Sequence, residues 1–587
     1  MATSSQHMIL GAILAIYSGY AVAANPPEPP PIPAAADLDR QAAEHEKQAM
    51  QTQEAIRQQL IKDPKVTVEV EQPKSSPLVL NESPCFPIDE VLLVGQDSAH
   101  FQFALKKALK ELNFQPGVCL GIKGLTILGA AIQNQAIAKG FLVARVNLIP
   151  QNLKSRRVSY EIVPGKIHEI IYRTTNWNGR QSEKRLDSLS ALPSQSGDFL
   201  NIRDIEQSLE NIKRLSNQDV DIQILPSVLP GMSDILYERK TKFPVMGVLT
   251  ASNAGSKGTG LYQGSASLLF QNTLGLNDLL YLSYVSDLGG KELDIPPTGT
   301  KSYAFSFSMP YRNWLFSLNA YRSEFHQVFK GLNDYYDYHG WSNVKDLSAS
   351  YMIYRDAVRK LNVSGKIWQR SSSSYINDAE LTVQRRRTSG FTLSLEDREY
   401  WGESIFSGKV SYKQGMRWFG AEPVSDEISN SGTGRMRQIL LTLNWLQPFV
   451  VAKQRFYFDT HLEGQYSFTR VFAQDKFSMG DRLTVRGFSN EMTLSAEHAL
   501  LSKNTIYYQY YGNHQLYLGL DYGKLWGPST KEILGDELMG AAVGLKGAVN
   551  IWHTQWQYDA FVGKSLKQPQ YYPRNNYVIF FSTSLIF

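Results

Sequence analysis

The chain has 587 residues, which is more than one ordinary domain contains, and its net charge at pH 7 is only +5. Lysine and arginine form no long run, so the charge pattern argues against a protein that binds nucleic acid. The 31 tyrosines, 27 phenylalanines and 10 tryptophans, together with 43 glycines, favour a protein rich in aromatic β-sheet.

An apolar segment at the N-terminus predicts a signal peptide over residues 1–24. It runs from Met8 to Ala24 and ends in small residues of the kind that signal peptidases cleave after. Residues 1–7 contain no lysine or arginine, which departs from the usual signal pattern. The sequence has no other apolar stretch of this length, so we expect any membrane crossing to be made by strands.

A predicted helix over residues 36–61 lies between two flexible segments. Residues 25–35 are rich in proline and predict an extended spacer, and residues 62–82 predict a linker. The helix itself contains no glycine or proline, but its apolar positions are too sparse to form a continuous stripe. We therefore expect it not to dock firmly on a core. It is either a solvated spacer or a plug in a wide polar pore.

Two consecutive patterns of strands and helices predict small α/β domains over residues 83–165 and 166–242. In the second, apolar residues with helical spacing begin at Ile202 and are followed by a strand of alternating apolar residues. The first contains Cys85 and Cys119, which are the only cysteines of the chain. In a secreted protein, a structural disulfide between them is the expected state.

Residues 243–587 read as strand after strand, with no convincing helix. In one run, Phe456 and Phe458 share a face, while Asp459, His461 and Glu463 share the opposite one. Such a pattern suits a soluble sandwich or a membrane barrel that turns its apolar face to lipid. About 345 residues, at about 20 to 22 for each strand with its connection, give about 16 strands.

Two short motifs near the C-terminus contain an arginine and an aspartate that could form an ion pair. In the strand that contains the second motif, glycines flank the aspartate on one face and leave a notch that a guanidinium can enter in bidentate fashion. We therefore predict that Arg486 and Asp521 are partners. The motifs consist of Val485, Arg486, Gly487 and Phe488, and of Gly519, Asp521 and Gly523.

The first motif resembles the tip of the inward-folded loop of Omp85-type outer-membrane proteins, and the second resembles the strand on which that loop docks. With the paired α/β domains, the chain is similar to TpsB transporters of two-partner secretion. This resemblance implies a mainly β protein. An N-terminal helix and two periplasmic POTRA domains precede a barrel of about 16 strands, whose inward loop lies near residues 475–505. The C-terminal strand, which ends at Phe587, resembles the sorting signal of such barrels.

The resemblance also implies a function and partners. We expect a translocase in the bacterial outer membrane that secretes one large exoprotein without ATP. The client would be an adhesin, a haemolysin or a contact-dependent growth inhibition toxin, and the last is favoured. Further expected partners are outer-membrane lipid, lipopolysaccharide and, during biogenesis, the barrel-assembly machinery. We expect a monomer and no nucleic-acid partner.

Other functions remain as alternatives: a barrel-assembly insertase first, then a porin or an outer-membrane enzyme. A porin would need no POTRA pair. The sequence has neither an HExxH motif nor a P-loop. His461, with Asp459 and Glu463 on the same strand, has no second group of ligands nearby in sequence. We therefore predict no catalytic residues, no metal site and no cofactor.

Overall fold

The structure is a computed structural model. It describes residues 35–61, 64, 66, 76–79, 82–289, 298–331, 334–423, 427, 432–552, 554–573 and 576–587. The predicted signal peptide and residues 25–34 of the predicted spacer lie outside the described residues, as does most of the linker over residues 62–82. The described residues form one long helix, two α/β domains and a closed barrel.

Helix α1, Ala35–Leu60, lies inside the barrel. Near its start, Leu38 packs with Phe325 and Phe329, and near its end Ile56 and Leu60 pack with residues of the opposite end of the barrel wall. The helix thus lies in the polar lumen, one of the two places that its sparse apolar positions predicted, with apolar contacts to the wall near each end. Among the described residues, no helix is long and apolar enough to cross a membrane.

The first α/β domain is built from five short strands and two helices. They are β1 Phe86–Ile88, β2 Glu90–Val94, α2 Gln102–Glu111, β3 Val118–Leu120, α3 Ile122–Ala138, β4 Arg145–Leu148 and β5 Arg157–Val163. Strands β2, β5 and β4 form one sheet in that order, and β1 pairs with β3. Phe101, Leu128 and Tyr160 are fully or almost fully buried in the core between the sheet and the helices.

The second α/β domain has one helix on a four-stranded sheet. Its elements are β6 Lys166–Thr175, β7 Gln181–Leu186, α4 Ile202–Lys213, β8 Gln218–Pro226 and β9 Met232–Thr241, and the sheet order is β7-β6-β9-β8. Ile205, Ile212 and Tyr237 form part of its core. The sequence pattern did not predict β7, because its six residues have no apolar alternation and five of them are exposed.

Sixteen long strands form the barrel wall, and three short strands lie in its connections. In chain order, they are β10 Val245–Ser252, β11 Gln263–Gln271, β12 Leu279–Asp287, β13 Gly299–Tyr311, β14 Trp314–Lys330, β15 Tyr335–Arg355, β16 Arg359–Ile376, β17 Ala379–Glu380, β18 Arg386–Trp401, β19 Ser404–Met416, β20 Arg437–Val451, β21 Gln454–Ser467, β22 Phe477–Met479, β23 Leu494–Ala496, β24 His498–Tyr511, β25 His514–Trp526, β26 Glu537–Ile551, β27 Thr554–Lys567 and β28 Val578–Ile586. The short strands are β17, β22 and β23.

The barrel closes where β10 pairs with β28 in antiparallel fashion. Gly247 and Phe587 exchange two backbone hydrogen bonds of 2.9 Å at the end of this seam. A side chain at Gly247 would overlap the ring of Phe587, so the ring covers the glycine on the neighbouring strand. Ile579 is largely exposed on the outer face, whereas Val578 and Phe580 are buried. The terminal strand thus alternates between lipid-facing and inward positions.

Helix α4 of the second domain docks on the strand turns at one end of the barrel. The Arg355 guanidinium donates hydrogen bonds of 2.7 and 3.0 Å to the two carboxylate oxygens of Glu210 and also contacts Glu206. Asn211 Nδ2 donates to the backbone oxygen of Arg312 at 2.9 Å. Buried charge pairs and backbone contacts therefore fix this domain against the barrel mouth.

Candidate functional site: the inward loop and the lumen helix

The connection between β21 and β24, residues 468–497, folds into the barrel. Strands β22 and β23 form a small hairpin in it, with Phe477 opposite Ala496. The tip packs into an apolar cluster that includes Met479, Val485 and Phe488. All three side chains are at most 2% exposed. The side chains of the loop tip are therefore buried against the wall to the same degree as side chains in an ordinary protein core.

The side chains of the tip fix its backbone turn. Asp481 Oδ1 accepts hydrogen bonds of 2.7 Å from the backbone amides of Leu483 and Thr484. Thr484 Oγ1 in turn accepts from the amide of Gly480 at 3.0 Å. Gly480 has a φ of +118°, which favours glycine. The turn thus presents the following residues to the wall in one conformation.

Arg486 and Asp521 are in direct contact. The Arg486 guanidinium donates from Nε to Asp521 Oδ2 at 2.7 Å and from Nη2 to Oδ1 at 2.6 Å, and its backbone amide adds a third bond of 2.9 Å. Nη2 also donates to Thr505 Oγ1 at 2.9 Å. Asp521 is 0% exposed. Burial alone would lower the pKa of Arg486, but the hydrogen bonds and charge of Asp521 outweigh burial and raise it.

Glycines of the wall make room for this contact. A side chain at Gly519 would overlap the Arg486 guanidinium, and one at Gly523 would overlap the Met479 sulfur. Both glycines belong to the predicted docking motif, on either side of Asp521. The structure therefore places all predicted residues of the two motifs around one contact.

Two further wall glycines lie against the loop tip, and the sequence analysis missed both. Together with Gly519 and Gly523 they form a pocket that we call the glycine cradle. A side chain at Gly540 of β26 would overlap the Arg486 carbonyl oxygen, and one at Gly563 of β27 would lie 2.7 Å from the Gly487 amide nitrogen. Gly487 itself has a φ of +112°, and a side chain there would lie 2.6 Å from the Lys564 backbone. The available signal was the row of small residues in β26. Only the strand register, which the sequence does not reveal, shows that these small residues face the loop tip.

Phe488 packs against a residue from another connection. Its ring meets that of Tyr572 edge to face, with the centroids 5.5 Å apart and the planes at 90°. Tyr572, between β27 and β28, also donates a hydrogen bond to the backbone oxygen of Met492 in the loop. On the other side of the loop, Arg482 donates to the backbone oxygens of Asn253 and Gly255, at 2.7 and 3.1 Å.

Helix α1 touches the same loop through polar side chains. Lys47 Nζ donates to the backbone oxygens of Ala473 and Lys476, at 2.9 and 2.6 Å, and to Ser478 Oγ at 2.9 Å. Gln48 adds a bond of 2.6 Å to Asn490. Helix and loop are therefore in contact within the lumen.

A buried charge network joins helix, loop and wall. The Arg370 guanidinium lies 3.1 Å from Glu46 of the helix and 3.3 Å from Asp475 of the loop, and Lys413 Nζ lies 2.9 Å from Asp475. Burial raises the pKa of Asp475, but Lys413 and Arg370 outweigh this effect and lower it to about 2. Asp475 is therefore ionised at neutral pH and binds the loop to two wall cations.

Helix and loop leave little free space between them. A cavity of about 310 Å³ is lined by Ile56 of the helix, by Arg482 and Arg486 of the loop, and by wall residues such as Asp459 and His461. An unfolded polypeptide needs a much wider continuous path than this cavity, and we therefore infer that the described conformation is a closed one.

The other predicted site residues lie outside this loop. Cys85 and Cys119 form a disulfide in the first α/β domain, with Cα atoms 5.4 Å apart. His461 faces the lumen and uses both ring nitrogens, toward Asn444 Oδ1 and Glu463 Oε1 at 2.6 Å each. Both nitrogens therefore already have protein partners.

Comparison with known proteins identifies the family to which this architecture belongs. Residues 231–547 match the family described as haemolysin secretion/activation protein ShlB/FhaC/HecB, and residues 86–165 and 166–226 match POTRA domains, the first of the ShlB type. The chain belongs to this family. The two α/β domains are its POTRA domains, which are periplasmic in this family, and the barrel lies in the outer membrane.

Individual relatives cover nearly the whole chain. The outer membrane transporter CdiB-2 of Burkholderia pseudomallei is 30% identical over 91% of this chain and 92% of its own length. The hemolysin transporter protein HpmB of Proteus mirabilis is 23% identical over 83% of this chain and 84% of its own. The solved structure of CdiB from Acinetobacter baumannii is 26% identical, with a TM-score of 0.79 over 95% of this chain and all of that one.

Proposed function

We propose that this ShlB-type transporter passes one large exoprotein through its lumen, with the loop at Arg486 as a fixed guide and helix α1 as a removable plug. The observation that carries this proposal is the unequal attachment of the two lumen elements. The loop tip is packed backbone to backbone against glycines, whereas the helix is held by side-chain contacts near its ends and polar contacts between them.

The POTRA domains offer places where an extended client can bind. Strands β4 and β7 each lie at the edge of a sheet and have one pairing partner among the described residues. The free backbone groups of such an edge can pair with an added strand. We infer that the client is captured in this way before it enters the barrel.

Transport needs a driving force that the chain itself does not supply. The sequence contains no P-loop, and the periplasm offers no ATP. We infer that the chain catalyses no reaction, and that folding of the client outside the cell prevents its return. Among the three client classes, a haemolysin is less favoured, because the relatives named CdiB are 25–30% identical to this chain and the hemolysin transporters 23%. Of the other two, we favour a contact-dependent inhibition toxin.

The outer face of the barrel supports the remaining proposed partners. Leu249, Val363, Leu393 and Val543 are between 45% and 60% exposed there, which suits contact with membrane lipid. We propose a monomer in a bilayer of lipid and lipopolysaccharide, inserted by the barrel-assembly machinery with β28 and Phe587 as the sorting element. Blue native electrophoresis of the purified protein tests the monomer, and a stable dimer would contradict it.

Co-expression with a client tests the main proposal. A candidate exoprotein, identified from an open reading frame next to that of this chain, would be produced in a host that lacks its own two-partner secretion system, and the medium assayed for it. We expect secretion that depends on this chain and on the N-terminal secretion domain of the client. If the chain forms channels but releases no such client, it acts as a porin and the proposal fails.

We propose a purely structural role for the Cys85–Cys119 disulfide. It closes a loop of sequence separation 34, which stabilises a folded domain by roughly 3–4 kcal/mol on the chain-entropy model. Thiol labelling of the unreduced, denatured protein should detect no free cysteine. Two labelled thiols would refute the proposal.

A further inference from the structure

Strands β14, β15 and β16 rise beyond the apolar band of the barrel. On the outer face of β14, Leu318 and Ala320 are followed by Arg322, Glu324 and His326. The strand begins at Trp314, beside the turn that contacts the second POTRA domain, so His326 lies toward the opposite, extracellular end. A polar outer face at this end indicates that the ribbon extends into water.

Three potential metal ligands lie together on this polar face. His326 is directly opposite His339 in the β14–β15 register, and Asp337 is two residues before His339, so all three side chains share a face. His339 Nδ1 lies 3.0 Å from Asp337 Oδ2, and His326 Nδ1 lies 3.8 Å from Asp337 Oδ1. One ligand atom of each residue lies within 4.8 Å of the others.

We propose that His326, Asp337 and His339 form a binding site for a divalent transition metal of the zinc or copper class. Two imidazoles and one carboxylate are ligands that these ions accept, at distances of about 2.0–2.2 Å for zinc. Ligands at that distance from one ion are separated by roughly 3–3.5 Å, so the two imidazoles, which are stacked with centroids 5.1 Å apart, would rotate toward Asp337 to close the site. Asp337 Oδ1 accepts no hydrogen bond among the described residues, and the 3.0 Å contact between His339 Nδ1 and Asp337 Oδ2 would be exchanged for bonds of both groups to the ion.

Neighbouring residues hold the ligands in place. The ring of Tyr375 on β16 stacks on that of His339, with centroids 5.2 Å apart and planes at 9°. Asn377 fixes the backbone of Asp337 with two hydrogen bonds. Asn377 Oδ1 accepts from the backbone amide of Asp337 at 2.9 Å, and the backbone amide of Asn377 donates to the carbonyl oxygen of Asp337 at 2.7 Å. Such outer contacts orient metal ligands in known sites.

A second cluster on the chain lacks this arrangement and serves as a control. His168, Glu169 and Asp234 lie together in the second POTRA domain. There, however, Glu169 is already paired with the guanidinium of Arg185, so one of the three candidate ligands is not available to a metal ion. His461 in the lumen is likewise paired at both nitrogens. Neither place brings two imidazoles together beside one carboxylate among the described residues.

The test uses the full-length protein, purified in detergent without a histidine tag. Calorimetric titration with Zn²⁺ should detect one specific site. Affinity should fall by about tenfold or more in His326→Ala and His339→Ala, since even residues that only orient ligands contribute tenfold or more. Asp337→Asn should weaken binding as well. His168→Ala and His461→Ala should bind as the wild type does, and heat-modifiable gel migration checks that each variant is folded.

Electron paramagnetic resonance with Cu²⁺ identifies the ligands independently. The wild type should give the signature of two nitrogen ligands, and each of the variants His326→Ala and His339→Ala that of one. The proposal is overturned if the double variant His326→Ala/His339→Ala binds Zn²⁺ as tightly as the wild type. It is equally overturned if binding is lost in His168→Ala instead.

Discussion

The tip of the inward loop and helix α1 occupy the same lumen but are attached in different ways. Arg486 makes a charged, bidentate contact with an Asp521 that is 0% exposed, and wall glycines allow backbone to meet backbone. The helix is held by a few apolar residues near its ends and by polar side chains between them. One element is built into the wall and the other rests against it.

Unpaired polar atoms occur on both lumen elements, and three of them belong to the loop residues Gln474, Arg482 and Thr493. Four atoms of the helix, Gln41 Oε1, Glu44 Oε1, His45 Nδ1 and Gln53 Oε1, are shielded from solvent and make no hydrogen bond among the described residues. Each such group costs roughly 1–3 kcal/mol relative to a satisfied one. Both carboxylate oxygens of Asp521 are satisfied. Because the charged contact at Asp521 has all its partners, we expect the helix to leave the lumen at lower cost than the loop tip.

Breaking the loop contact should have the largest effect. Arg486→Ala or Asp521→Ala leaves a buried charge without its partner, which costs about 3–5 kcal/mol in a dry site and less in a hydrated lumen. We expect secretion of the client to fall to background while membrane insertion and heat-modifiable migration stay normal. Immunoblots of medium and membranes measure both.

Two substitutions control that experiment. Arg486→Lys retains the charge but loses the forked donor, so secretion should be intermediate. Arg322→Ala removes an arginine whose partner, Glu324, lies beside it on the outer face, and secretion should be unchanged. Wild-type secretion by both Arg486→Ala and Asp521→Ala would mean that the pair has no role in transport.

A side chain in the glycine cradle should have a strong but smaller effect. Gly540→Ala introduces an atom where the Arg486 carbonyl lies, so the tip must shift while the ion pair itself remains. We expect secretion to drop several-fold, because overpacking costs roughly 1–3 kcal/mol. In Gly365→Ala the new atom meets nothing closer than 3.9 Å, so this wall glycine is the matched control. Equal secretion by the two variants would contradict a tight cradle.

Removing the helix should change conductance more than secretion. Deleting residues 36–61 frees the centre of the lumen, so single-channel conductance in planar bilayers should rise and client secretion should largely persist. Replacing the same residues by a flexible glycine and serine segment of equal length keeps the tether. If the deletion leaves conductance unchanged, the helix is a spacer and the contrast with the loop is lost.

The sequence predicted the barrel and the loop contact because both leave local patterns. Strand alternation is visible in runs such as that around Phe456, and the glycines that flank Asp521 stand within one strand. The partners of the loop from other strands were not predictable. Gly540, Gly563 and Tyr572 reach the site only through the register of β26 and β27 and through a distant connection.

The helix contacts and the histidine cluster were missed for the same physical reason. The residues that Lys47 meets lie more than 400 positions away in the chain, and no periodicity connects them. Asp337 and His339 have a spacing that suits two ligands on one face, but His326 joins them only because β14 and β15 pair in one register. The alternation of residues within a strand determines which face of the sheet a side chain occupies. The register between strands determines which side chains it contacts.

The smallest expected effect comes from Lys47, one of the helix side chains that bind the loop. Lys47→Met removes three hydrogen bonds from the helix to the loop backbone and Ser478, while the apolar contacts at both helix ends remain. We expect more frequent channel openings at unchanged open-state conductance, and normal secretion. Arg57→Met is the control, because the hydrogen bonds of Arg57 go to Glu54 within the same helix, and its opening frequency should match the wild type. If Lys47→Met opens no more often than Arg57→Met, the three hydrogen bonds of Lys47 do not hold the helix in place. The apolar contacts near Leu38 and Ile56 then account for the closed state.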